Sequence, residues 1–165
     1  MQTASMKQMF EDMGFKIENM QINKPIDING WEIQTINIQT SECEWKDVKR
    51  IVRKQDAIHM KVVTQDFSLS CSPEHKIFVK KNDLDFGIYE EVVVLQNISE
   101  HFKVLTKNGW QDFKIETIGD NINILDVEVD GTHSYLSNGI LSHNTLFGDP
   151  TCVSPDTKIK VRTRI

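Results

Sequence analysis

Between Met6 and Gly14, the apolar residues Met6, Met9, Phe10 and Met13 recur at helical spacing, and Gly14 supplies a stop. A short amphipathic helix is predicted there, packed by one face on a core. Beyond it the period drops to two. After Gly30, the residues Trp31, Ile33 and Thr35 alternate with Glu32, Gln34 and Ile36, as in a strand. The stretch 45–52 fits a strand or a short helix. Segments 58–63, 67–71, 76–80, 89–95, 102–105, 113–118 and 125–129 are short runs of β-branched and aromatic residues. Turn signals separate them at Gln65-Asp66, Asn82-Asp83, Asn108-Gly109 and Gly119-Asp120, and Asn108-Gly109 is the clearest hairpin among these. Many short strands at close spacing predict an all-β, compact, strongly curved architecture with one or two short helices.

With 165 residues, 39% hydrophobic and 26% charged, the chain is long enough for one domain with a real core. A net charge of −5 argues against nucleic-acid or anionic-membrane binding. Apolar runs of only a few residues predict no transmembrane helix. The opening Met1-Gln-Thr-Ala-Ser resembles no signal peptide, so a cytosolic monomer is the expectation. Three cysteines, Cys43, Cys71 and Cys152, are an odd number without a C-x-x-C pair, so neither a disulfide framework nor a zinc knuckle is expected, and no cofactor or metal. A cysteine that matters here would act as a nucleophile. Cys43 and Cys71 read as small apolar fillers, and His59 and His101 as surface residues. The charge is uneven. Residues 152–165 carry Lys158, Lys160, Arg162 and Arg164 against Asp156, a balance of +3, while 1–151 hold 15 bases against 23 acids, a balance of −8. The bases alternate with Ile159, Val161, Thr163 and Ile165, which fits either a charged edge strand or a small basic fragment held by an acidic body.

Four segments carry the candidate chemistry. The first is Asn138-Gly-Ile-Leu-Ser-His143-Asn144-Thr145. An asparagine amide can attack its own carbonyl, form a succinimide and expel the next residue's nitrogen, and a neighbouring imidazole such as His143 can move the proton. The second, Asp126 to His133 with Ser134-Tyr135-Leu136 after it, reads as strand, glycine turn and second strand. The third, Ser72-Pro-Glu-His75, sets a hydroxyl three residues before a histidine, between two strands. The fourth, Cys152-Val-Ser-Pro-Asp-Thr-Lys, places a cysteine just ahead of a turn and strand.

Together these segments resemble the splicing motifs of inteins, the self-excising elements of the Hint superfamily. Cys152 to Ile159 resembles the N-terminal motif and Ser72 to His75 the Thr-x-x-His motif. Asp126 to His133 and His143-Asn144-Thr145 resemble the two C-terminal motifs. Ser72 in place of threonine, and Pro155 in place of the commoner glycine, depart mildly from the pattern. The resemblance implies a pseudo-symmetric, horseshoe-like Hint fold. It also implies that 6–144 and 152–165 are the C-terminal and N-terminal fragments of an atypically split intein, of the kind known from phage and environmental sequences. Here they are fused in reverse order, with 1–5 as a start or linker and 145–151 as an extein-like heptapeptide. The partners so implied are the complementary fragment, carried in the same chain, and flanking extein sequence.

The resemblance further implies single-turnover, autocatalytic chemistry. Cys152 would attack the Thr151 carbonyl, with His75 acting on the scissile amide and Ser72 positioning the junction. Thr145 would take over the acyl group with Asp126 as proton acceptor or orienting group. Asn144 would then cyclise, assisted by His133 and His143. The scissile bonds would be Asn144-Thr145 and Thr151-Cys152, and the product a cyclic 145–151. Two alternatives stay open: a Hint domain that only cleaves itself, and a β-rich binding module whose motifs coincide by chance.

Overall fold

The computed structural model describes residues 2–143 and 152–164, without the side chains of 55–58 and 120–122. In chain order its elements are β1 (Gln2–Ser5), α1 (Met6–Asp12), β2 (Ile26–Asp27), β3 (Trp31–Ile36), β4 (Cys43–Thr64), β5 (Ser68–Cys71), β6 (Lys76–Lys81), β7 (Ile88–Glu91), α2 (Val92–Leu95), β8 (Phe102–Thr106), β9 (Gly109–Gln111), β10 (Phe113–Val129), β11 (Ser134–Ser137), β12 (Ile140–His143) and β13 (Lys158–Thr163). One sheet runs β1-β13-β3-β4-β10, with β2 and β5 also on β4. The second runs β11-β12-β6-β8-β9, with β7 on β6.

The predicted helix forms because Met6, Met9 and Phe10 bury one face and the Ser5 hydroxyl caps the amide of Gln8. Its first two amides donate to the Thr157 and Pro155 carbonyls, at 2.8 and 3.0 Å. Residues 1–5, expected only as a start or linker, contain β1, which pairs with β13 from Gln2↔Val161 to Ser5↔Lys158. The basic C-terminal strand is therefore no edge. It lies between β1 and β3, with Ile159 and Val161 in the core.

Two other readings are corrected. The stretch 45–52 and the run 58–63 belong to one 22-residue strand, β4, and 113–118 and 125–129 belong to one strand, β10. Gly119-Asp120 does not turn the chain. The β10–β4 register shifts between Thr117 and Asn121, and Gly119 there has φ +89°, so the extra residues form a bulge that lets a long antiparallel ribbon bend. The run 89–95 is strand only to Glu91. Val92 and Leu95 then enter the core from one turn of α2 while Val93 and Val94 face solvent, a three-residue spacing that overrides valine's strand preference.

The β11–β12 hairpin closes through Asn138 (φ +47°) and Gly139 (φ +79°), both left-handed, as a two-residue primed turn requires. Gly139 is also steric: a Cβ would collide with the ring of Phe67. Asn138 joins this hairpin to the C-terminal segment, its amide donating to the Lys158 carbonyl at 2.8 Å and its side-chain oxygen accepting from the Lys158 amide.

Candidate active site

The segment just before β13 is threaded into the middle of the molecule. Val153 exchanges both backbone hydrogen bonds with Leu125 of β10, at 2.9 and 3.0 Å, and bridges to Cys71 at the end of β5. The Ser154 amide donates to the Ser70 carbonyl at 3.0 Å. Cys152 and Val153 are fully buried there.

Ser72 clamps the backbone of Cys152. Its amide donates to the Cys152 carbonyl at 3.0 Å, and its hydroxyl oxygen accepts from the Cys152 amide at 3.1 Å. The same hydroxyl lies 3.4 Å from that carbonyl. The turn is closed by the His75 amide on the Ser72 carbonyl at 3.1 Å, and β6 follows it, while the amide of Val92, the first residue of α2, donates to the His75 carbonyl. Thus the hydroxyl three residues before a histidine, legible in sequence, becomes a tight turn with its oxygen on the nitrogen of the Thr151-Cys152 bond.

His75 is fully buried. Its Nε2 is 2.8 Å from the Ser142 hydroxyl, which is in turn 2.5 Å from the Ser137 hydroxyl. Nδ1 has no hydrogen-bond partner among the described residues. Burial, reinforced by the charge of His143, lowers the His75 pKa to about 3, so the imidazole is neutral near pH 7. His143 closes β12 opposite Ser134, its ring 5.0 Å from that of Tyr89 in an edge-on contact and 6.4 Å from that of His133. His133 takes a left-handed φ of +51° at the end of the Gly131 turn, a region that few non-glycine residues occupy and that histidine tolerates better than most.

Asp126 is buried on β10, and its Oδ1 accepts from the Val127 amide at 2.8 Å. Its charge falls on both Cys152 and Tyr135. The Cys152 thiol is pushed far above its ordinary range by burial first and then by Asp126, against a weaker opposing pull from Lys54. The Tyr135 hydroxyl, buried beside Asp126, is pushed up for the same two reasons. At rest the Cys152 side chain is therefore a neutral thiol and not a thiolate.

Ser72, His75, Asp126, His143 and Cys152 gather around one turn and one stretch of β10, and His133 adjoins them through His143. Asn144, Thr145 and Thr151 lie outside the described residues. Sequence reasoning missed Tyr135, Tyr89, Ser137 and Ser142. Tyr135 followed the His133 motif and was visible as a polar aromatic, whereas the serines become distinctive only once β11, β12 and β6 align. Cys71, expected as a filler, is buried at the site's edge, its thiol raised by burial. Cys43 is exposed at the start of β4 rather than filling the core.

No family model matches the chain. A DNA polymerase of Thermococcus aggregans is 26% identical over 103 residues, 61% of this chain, which spans only 6% of that protein's length. Among solved structures, the DnaX mini intein from Spirulina platensis superposes with a TM-score of 0.54 at 26% identity, covering 68% of this chain and 81% of that one. The DnaB intein from Synechocystis sp. PCC 6803 gives 0.59 at 20% identity, covering 80% and 87%. An intein from a hyperthermophile gives 0.64 at 10% identity, covering 86% and 89%. The all-β architecture expected from the sequence is thus the Hint fold of inteins, and the structural neighbours of this chain are inteins.

Proposed function

We propose that the chain is a protein-splicing element whose C-terminal and N-terminal parts, 6–144 and 152–165, are fused in reverse order. One observation carries the reading. His143, the last described residue before the connecting segment, and Cys152, the first after it, both adjoin the Ser72–His75 turn, the first through its charge on His75 and the second through hydrogen bonds to Ser72. Residues far apart in the order of a normal fusion would react only if both junctions met at one place, and the nearness of His143 and Cys152 to one turn supports that reading.

In this reading the Cys152 sulfur attacks the Thr151 carbonyl carbon. The carbon–nitrogen bond breaks, the thiol proton passes to the departing amine, and a thioester remains. Ser72, already on that amide nitrogen, holds the scissile group in register. His75, whose Nδ1 no described residue engages, and Asp126, beside the thiol, are the groups available to move the proton. The Thr145 hydroxyl then attacks the thioester, giving up its proton as the Cys152 thiol reforms. The Asn144 amide nitrogen attacks its own carbonyl, forms a succinimide and releases the Thr145 amine. That amine displaces the ester oxygen on the Thr151 carbonyl, closing a ring of Thr-Leu-Phe-Gly-Asp-Pro-Thr. His133 and His143 assist the asparagine step in this account, and no cofactor enters it.

Cys152→Ala is expected to leave only cleavage after Asn144, and Asn144→Ala to leave only thiol-dependent cleavage before Cys152, both read by mass spectrometry of the purified chain. If Asn144→Ala gave cleavage before Cys152 but the parent never ligated 145–151, the chain would be a self-cleaving Hint domain. No cleavage in any variant would favour a binding module.

A further inference from the structure

Of the hydroxyls behind His75, Ser137 lies outside the four segments that marked the site, and Ser142 lies within 138–145 with no role assigned to it there. Ser137 and Ser142 are both fully buried, on facing strands of the β11–β12 hairpin. The Ser142 oxygen is 2.8 Å from His75 Nε2 and 2.5 Å from the Ser137 oxygen. The Ile140 carbonyl terminates the row, 3.3 Å from the Ser137 hydroxyl and 3.5 Å from that of Ser142.

A carbonyl oxygen only accepts, so it sets the direction of the whole row. If Ser137 donates to Ile140, Ser142 donates to Ser137, and its remaining lone pairs can only accept from His75. If instead Ser142 donates to Ile140 and accepts from Ser137, its other lone pair again accepts from His75. In both arrangements that use the carbonyl, Nε2 carries the hydrogen. A neutral imidazole then has its bare lone pair on Nδ1, the buried atom that no described residue engages.

We propose that Ser142, anchored through Ser137 and the Ile140 carbonyl, is a positioning residue that fixes His75 in its Nε2–H tautomer and so presents Nδ1 as a proton acceptor to the reaction. The inference rests on the splicing reading for its purpose but not for its geometry. Ser142 lies two residues before Asn144, on the strand that leads to the second scissile bond. The device therefore ties the imidazole that serves one junction to the strand that carries the other.

The test is made on the full chain in two forms. In the first, Cys152→Ala and Asn144→Ala together keep it intact, and selective histidine 15N labelling reads the tautomer of His75. The expected signal is a protonated Nε2 and an unprotonated Nδ1. Ser142→Ala and, separately, Ser137→Ala should bring in the Nδ1–H form, while Ser142→Thr, which keeps the hydroxyl, should not. In the second form Asn144→Ala alone is present, and thiol-dependent release before Cys152 is timed. Ser142→Ala should slow it about tenfold, a fraction of the full worth of a proton-transferring side chain, and Ser142→Thr should restore most of the rate. A parent His75 protonated at Nδ1, or a Ser142→Ala chain with unchanged tautomer and unchanged rate, would overturn the proposal. Should the Asn144→Ala parent release nothing, the splicing reading fails, and the tautomer spectrum still decides the relay by itself.

Discussion

At the scale of the residue, Ser72 holds the backbone of Cys152 on both sides. Ser72 engages both backbone polar groups of Cys152, so Ser72→Ala should slow thiol-dependent release before Cys152 by at least about tenfold through lost positioning, and Ser72→Thr should retain it. Equal rates in the two variants, timed in the Asn144→Ala chain, would remove Ser72 from the site. His75 makes a separate prediction. Its pKa is lowered to about 3 in the folded chain from an ordinary 6.5, so between those values the unfolded state binds the extra proton. Its contribution is intact above pH 6.5 and is lost as pH falls toward 3, by a total on the order of a few kcal/mol. Denaturant unfolding of the uncleavable chain should therefore lose stability across this window, and His75→Gln should flatten the loss. Parallel curves would contradict a neutral, buried His75. Much of this site was legible as spacing. Ser72 with His75, Asp126 with His133, His143 and Cys152 stood out because their chemistry sits beside turn signals. Ser137 and Ser142 did not, since a buried serine gains meaning only from the strand opposite it.

At the scale of the element, the central feature is β13. It is the last strand in sequence and an interior strand in space, bonded to β1 on one side and β3 on the other. Its inward residues Ile159 and Val161 complete the core. Outward, Arg162 meets Glu32 at 2.9 Å and lies 4.4 Å from the Trp45 ring, and Arg164 meets Asp47 at 2.7 Å. These exposed pairs add little to stability, but on the proposed split reading they would speed the encounter of a basic strand with an acidic body. When 1–144 and 152–165 are supplied as separate pieces, reversing Lys158, Lys160, Arg162 and Arg164 to Glu should slow association at least about tenfold at low salt, and the gap should shrink at high salt. An unchanged association rate would leave the charge asymmetry without a role. Val161→Ala, by contrast, should cost about 2 kcal/mol of stability at any salt. The alternation of β13 and the helical spacing of α1 were readable in advance because each element buries one face. The long β4–β10 ribbon was read as fragments, since Gly119-Asp120 has the same composition in a bulge as in a turn. α2 was read as strand because its four residues, Val-Val-Val-Leu, carry strand propensity and are too few to display a helical period.

At the scale of the whole molecule, the fold brings His143 and Cys152, nine positions apart in sequence, to the same Ser72–His75 turn. The hairpin that ends at His143 is fastened to β13 by Asn138 and Lys158, α1 is capped by carbonyls of Pro155 and Thr157, and Cys152 is held by Ser72. A strand order in which the last segment completes the core beside the first is what a reversed fusion of two interlocking pieces requires. Residues 145–151 can extend to roughly 25 Å, ample for a loop that leaves and re-enters a common site. The central claim is that this arrangement ligates what lies between its ends, and the intact mass of freshly purified chain, incubated at neutral pH with a mild thiol, tests it most directly. The account predicts that the 19.0 kDa species gives way to 1–144, 152–165 and a ring of 145–151 lacking the mass of one water relative to the linear heptapeptide. Linear 145–151, or a 19.0 kDa species that persists unchanged, would contradict it.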